Sequence, residues 1–186
     1  MKILKLVCSG LFLASSMSAV AGGSLDISLA SDAARFEYDA AKVGSGLHVS
    51  ASIQHHEKNG DLAALGLHVV NMREPNSPLY LGIGGKFFGY VSGDYDGTAL
   101  GLGGFFRYNI PKTKGLSLAG YGYYAPSVVS FGDTQNLIDS DIRVQYALLP
   151  TARVYMGYRL SQVEIEQTKK NNKLEQGIHF GLKVDF

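Results

Sequence analysis

The sequence predicts an all-β fold: an up-and-down antiparallel transmembrane β-barrel of ten strands, or of eight if the first two segments form a flap. Three observations carry this expectation. Apolar residues recur at every second position in one segment after another, the period of a β-strand. The charged residues of those segments fall on the opposite phase. The last segment, GIHFGLKVDF at 177–186, keeps the alternation through Ile178, Phe180, Leu182 and Val184 to the terminal Phe186. Composition agrees: 23 Gly, 11 Tyr and 9 Phe with no Trp suit short extended segments joined by turns better than helices.

The first 21 residues read as a secretory signal outside the fold. Lys2 and Lys5 precede an apolar stretch, and Ala19-Val20-Ala21 offers a small-x-small cleavage pattern, so the mature domain is expected to span 22–186. The stretch is too short and too serine-broken for a membrane-spanning helix. The one cysteine, Cys8, follows Val7 without a lipobox, so lipidation is not expected and the mature chain has no thiol. Removing Lys2 and Lys5 takes the formal charge from +1 to −1, which gives no bulk electrostatic reason to bind nucleic acid.

The segments follow in order. Residues 24–31 alternate on Leu25, Ile27 and Leu29, and a Ser31-Asp32 turn leads to 34–40 with Phe36 and Tyr38 opposite Arg35, Glu37 and Asp39. Leu47, Val49, Ala51 and Ile53 alternate up to HHEKNGD, whose Asn59-Gly60 suits a tight hairpin turn, and Leu65, Leu67 and Val69 carry the return. After the Pro-marked 71–78, Leu79, Leu81, Ile83 and Phe87 oppose Tyr80, Lys86, Phe88 and Tyr90. Leu100, Leu102, Phe106 and Tyr108 then oppose Phe105 and Arg107. Residues 116–125 are rich in Gly and Tyr. Ile138, Ile142, Val144, Tyr146 and Leu148 interleave with Asp139, Asp141, Arg143 and Gln145. A turn at 149–151 leads to Val154, Met156, Tyr158 and Leu160, opposite Arg153, Tyr155 and Arg159. The connections at 56–61, 91–97, 126–136 and 163–173 are the longer and more polar ones. Those at 72–78, 111–115 and 149–151 are shorter, the asymmetry expected of extracellular loops against periplasmic turns.

A soluble sandwich could hold the charges on a water-facing phase equally well. The barrel is favoured because the chain carries an export signal, because Tyr108, Tyr124, Tyr158 and Phe186 sit near strand ends on the oily face, and because the closing strand is amphipathic to its end. That strand, with Ile178, Phe180, Leu182, Val184 and Phe186, resembles the C-terminal signal read by the outer-membrane assembly machinery. More narrowly, YGYYAPSVVSF at 121–131, DIRVQYALLPTARVYMGYRL at 141–160 and the final GLKVDF resemble the YfaZ family of small exported outer-membrane proteins. The resemblance implies a Gram-negative outer-membrane location, with outer-membrane lipids, lipopolysaccharide and the assembly machinery as partners, and it brings no catalytic or ligand residues with it.

On this phase the lumen receives the basic Arg35, Lys86, Arg107, Arg143, Arg153, Arg159 and Lys183. It also receives the acidic Asp26, Glu37, Asp39, Asp139, Asp141, Glu175 and Asp185. Enclosed opposite charges pair to offset desolvation. In so narrow a barrel they form a cross-linked polar plug with at most a thin water path. The expected function is a small porin-like protein, a narrow channel for ions or small polar solutes. The alternatives are a structural or adhesive protein without transport and, less favoured, a lipid- or peptide-hydrolysing barrel. Arg153 and Arg159 with Asp139 and Asp141 are the expected pairs. His48 and Ser50 share a strand face as a base and a nucleophile would, but no carboxylate is evident beside the imidazole. His55 and His56 point to opposite faces and do not chelate together, while His68 and His179 read as hydrogen-bonded lumen residues. Asp94, Asp96, Lys169, Lys170 and Lys173 are candidate loop contacts to divalent cations or lipopolysaccharide. No enzyme activity, cofactor or metal is expected, and the protein is expected to be a monomer.

Overall fold

The structure is a computed structural model that describes residues 22–42, 46–70, 77–93, 95–165 and 170–186, with residues 41–42 and 170–171 by backbone alone. The expected signal at 1–21 lies outside the described residues. Eleven strands follow in chain order: β1 (Gly23–Ala30), β2 (Ala33–Lys42), β3 (Leu47–His56), β4 (Gly60–Val70), β5 (Leu79–Ser92), β6 (Tyr95–Asn109), β7 (Leu116–Ala125), β8 (Ser130–Gly132), β9 (Thr134–Leu149), β10 (Ala152–Ile165) and β11 (Lys170–Asp185). No helix among the described residues is long and apolar enough to cross a membrane, so any crossing is by strands.

Ten of these strands close into an antiparallel barrel in the order β5-β4-β3-β2-β1-β11-β10-β9-β7-β6, with β5 paired back to β6. The first two segments are full barrel strands and not a flap: β1 is laddered to β11 from Ser24↔Asp185 to Ala30↔His179 and to β2 on its other side. Ten is an even count, so both termini share one end, called the lower end below. There Gly23 and Phe186 exchange backbone hydrogen bonds of 2.8 and 3.0 Å.

The expected polar loops at the upper end are mostly strand. β5 runs to Ser92 and β6 starts at Tyr95, so 91–97 is a tight turn, and β10 and β11 extend to Ile165 and back from Lys170 into the expected loop 163–173. Asp94 and Lys169 lie outside the described residues. Among the described residues of this end, 126–133 is the true excursion. It holds one 3-10 turn at Ser127–Val129 and the short β8, which pairs with β6 at Gly97↔Gly132 and Ala99↔Ser130. The Asn59-Gly60 turn forms as expected, with Gly60 at φ +99°, a conformation costly for any residue with a Cβ.

Polarity across the wall reverses along the barrel axis. In the lower part Ile27, Leu67, Ile83, Leu102, Val144 and Phe180 lie on the outside and exposed, Leu102 at 71%, while polar side chains fill the inside. In the upper part the outer positions include Asp96, Asn136, Gln162, Glu164 and Gln176, and the interior carries an apolar cluster with the polar Ser92, Thr134 and Asn172 beside it. Tyr124 and Tyr158 stand on the outside at the changeover, their hydroxyls bonded to Asn136 (3.3 Å) and Gln176 (2.9 Å). Tyr108, Tyr146 and Phe186 ring the other edge of the apolar belt, and aromatic rows at both edges mark a bilayer-spanning band. The end where strands run on past the belt is the extracellular one, and the lower end faces the periplasm.

One β-bulge joins the two regimes. The β10–β11 register shifts between Ser161 and Gln162, which sit opposite Glu175 and Lys173, and the extra residue is Leu174. Leu174 and Glu175 are consecutive yet both buried, because a bulge lets two neighbours turn to one face. Glu175 is the uppermost ionic member of the described interior on this strand, and Leu174 joins the apolar cluster above it.

Candidate functional site

The lumen has three zones. The middle is a network of ion pairs. Arg35 on β2 reaches across the barrel to Asp139 on β9 (3.3 Å) and bonds Glu37 on its own strand (3.0 Å), and Lys86 joins Glu37 at 3.6 Å. Asp139 is fully buried and also accepts from Ser161 (2.6 Å) and Tyr121 (3.4 Å). Arg159 contacts Glu175 (3.2 Å) and Asp141 (3.5 Å) and donates to Ser28 (3.0 Å). Asp141 lies 2.6 Å from His179 Nε2, and Arg143 bonds Asp26 at 2.9 Å while Tyr155 donates to the same carboxylate. Charges with no access to water are tolerable only with partners of this density.

The upper zone is apolar. Leu62, Phe88, Tyr90, Ala99, Tyr123, Leu137, Val163 and Leu174, from seven strands, form one buried cluster that fills the lumen above the ion pairs. The lower zone is an open, mixed-polarity cavity of about 280 Å³ lined by Glu37, Asp39, His48, His68, Tyr80, Phe105, Arg107, Lys183 and Asp185, among others.

All the predicted lumen charges point inward: Arg35, Glu37, Lys86, Arg107, Asp139, Asp141, Arg143, Arg153, Arg159, Glu175 and Lys183 are buried or half-buried. The expected grouping of Arg153 with Asp139 and Asp141 does not form. The register sets Arg159 opposite Asp141 but Arg153 opposite Ala147, so Arg153 sits near the lower mouth and pairs with Asp185 at 2.5 Å. Asp139 takes its cation from β2 instead. His48 is a second correction, because Asp39 on the neighbouring strand lies 3.0 Å from its Nδ1. Its other nitrogen faces Tyr80 Oη at 3.4 Å rather than a serine. His68 takes a bond with Tyr123 Oη at 2.9 Å. His55 pairs outside the barrel with Asp61 at 2.6 Å, while His56 bonds the 57–59 turn through Asn59.

The residues missed by sequence reasoning are mainly uncharged. Tyr121 and Tyr123 stack under Lys86 at 5.1 and 4.7 Å, and Arg143 lies 4.4 Å over Tyr155. The inward phase of these tyrosines was readable. Their service as cation platforms was not, because it depends on which strands face each other across the lumen. Several rings lie across glycines on the adjacent strand, among them Phe105 over Gly82 and Tyr155 over Gly181, where a Cβ would collide with the ring.

A closed ten-stranded barrel with a lipid-facing belt and an ionic interior defines the class: an outer-membrane β-barrel protein. A family profile described as "YfaZ precursor" matches residues 1–186, and the chain belongs to the YfaZ family. It is 26% identical over 144 residues to the Outer membrane protein YfaZ of Escherichia coli strain K12, covering 76% of each chain. Among solved structures it resembles the outer membrane protease OmpT from Escherichia coli with a TM-score of 0.54 at 11% identity, covering 89% of this chain and 93% of that one, a likeness of fold alone.

Proposed function

We propose that this protein is a sealed outer-membrane barrel with a structural or surface role, without a resident through-channel and without catalysis. The observation that supports it is the apolar cluster above the ion pairs: ions crossing the lumen would meet side chains from Leu62 to Leu174. The closed wall leaves no strand edge to pair with another chain, which favours a monomer. The belt contacts outer-membrane lipids, and the polar upper wall, with Lys173 exposed, is the surface offered to lipopolysaccharide. The assembly machinery is the partner during biogenesis, through Ile178, Phe180, Leu182, Val184 and Phe186.

The test is conductance in planar bilayers. Wild-type protein at verified insertion is expected to be silent, and Phe88→Gly combined with Leu137→Gly is expected to open small discrete steps. Steps of equal size from the wild type overturn the sealed reading. They would favour the second one, a narrow channel for ions or small polar solutes, for which the polar middle and open lower cavity speak.

A further inference from the structure

The lower cavity gathers more positive charge than the fold neutralises. Arg153 and Lys183 are direct cross-strand partners on β10 and β11, and like charges so placed repel. Arg107 on β6 is near enough that Arg153 and Asp185 both act on it electrostatically. Among the described residues, one carboxylate stands at ion-pair distance from these three cations, Asp185, 2.5 Å from Arg153. The other acids of the cavity are already engaged, Glu37 by Arg35 and Lys86, and Asp39 by His48. Arg107 has only the face of Tyr80 at 5.0 Å, and Lys183 lines the cavity with no ion pair or hydrogen bond among the described residues. Arg107 Nε and Arg153 Nη1 are buried with no hydrogen-bond acceptor among the described residues. A buried donor left unmade costs about 1–3 kcal/mol, and more when it is charged, so this cluster is short of an anion.

We propose that the lower cavity binds a small oxyanion, a carboxylate or phosphate, held by Arg107 and Lys183 with its uncharged part against Tyr80 and Phe105. Guanidinium groups match the geometry of two-oxygen anions, and the aromatic side of the cavity suits a compact organic group. The volume of about 280 Å³ falls at the small end of ligand sites, which hold roughly 300–1,000 Å³. The site lies below the apolar cluster, so it stands whether or not the upper end is sealed. A free periplasmic solute and the phosphate of an inner-leaflet lipid headgroup present the same chemistry.

The protein in phosphatidylcholine nanodiscs is titrated by calorimetry with phenyl phosphate and with inorganic phosphate. Saturable binding is expected in the millimolar range or tighter, about tenfold weaker in Arg107→Gln and in Lys183→Gln, and unchanged in Lys58→Gln in the exposed 57–59 turn. Heat-modifiable gel migration confirms that each variant is folded. Should Arg107→Gln fail that check, Arg107→Lys keeps the charge without the fork and is expected to show a smaller loss. Competition by added phosphatidylglycerol assigns the site to a headgroup, and its absence assigns it to a free solute. No saturation by either probe together with no effect of phosphatidylglycerol, or undiminished binding in the Arg107→Gln, Lys183→Gln double variant, overturns the proposal. Silence or conductance in bilayers leaves it untouched.

Discussion

The two halves of this barrel are built on opposite plans. In the lower half the wall presents Ile83, Leu102 and Phe180 to lipid and encloses Arg35, Asp139, Asp141 and Arg159. In the upper half the same strands present Gln162, Glu164 and Gln176 to water and enclose Phe88, Leu137, Val163 and Leu174. The difference teaches what the wall responds to. Each face takes the polarity of the medium it meets, and the interior takes whatever closes the lumen. Below, where the outside already supplies the apolar contact, the inside is free to be ionic. Above, where water wets the outside, burial of an apolar core supplies the stabilisation, as in a soluble protein.

This contrast can be broken from either half. The largest effect is expected from Asp141→Asn in the lower half, which leaves Arg159, Arg143 and His179 short of their shared carboxylate. A loss of about 3–5 kcal/mol is expected, read from urea unfolding in lipid vesicles. Next comes truncation. Leu137→Ala in the upper core should cost about 3–4 kcal/mol as a cavity in a packed interior. Leu67→Ala on the lipid face should cost far less, because acyl chains fill the space. Equal costs would mean that the upper interior is not a packed core. An outward charge sharpens the point: Ile83→Arg should cost about 2–4 kcal/mol near the middle of the belt. Gln176→Arg, higher on the outer wall, should stay within about 0.5 kcal/mol, and a similar penalty at both sites would remove the distinction between the two outer surfaces. The smallest effect on the folded state is expected from Phe186→Ala. That ring is exposed and stacks only on Tyr38 at 6.2 Å, so the unfolding midpoint should barely move while the amount assembled in the outer membrane falls. Normal assembly would count against the closing strand as the assembly signal.

The same contrast explains what could be read from the sequence. The lower half was legible, since Leu25 to Leu29, Leu79 to Phe87 and Ile178 to Phe186 alternate cleanly and the charges mark the other phase. The upper half was read as loops because there the hydrophilic residues are the outward ones. Asp96, Gln162, Glu164 and Lys173 look like loop composition, although they sit on the outer face of a strand. The inward phase of the charges was visible, but their partners were not. Arg35 meets Asp139 across the lumen at a sequence separation of 104, and only the closure of the barrel sets that pairing. Asp39 beside His48 escaped notice because it lies on the adjacent strand, nine positions away.

The extra residue at Leu174 has a consequence for how the gene can vary. Below it odd-numbered side chains of β11 enter the lumen, and above it even-numbered ones do, as Asn172 does in bonding Ser92 at 2.6 Å. A codon lost at this spot would remove only the unpaired residue, leaving Lys173 next to Glu175 in regular alternation and keeping both the terminal segment and the upper third of the strand on their present faces. A codon lost anywhere below would instead scramble the lipid-facing row. Length changes in this strand are therefore not equivalent, and natural variants that shorten it by one residue should cluster at Leu174, where the phase survives the loss.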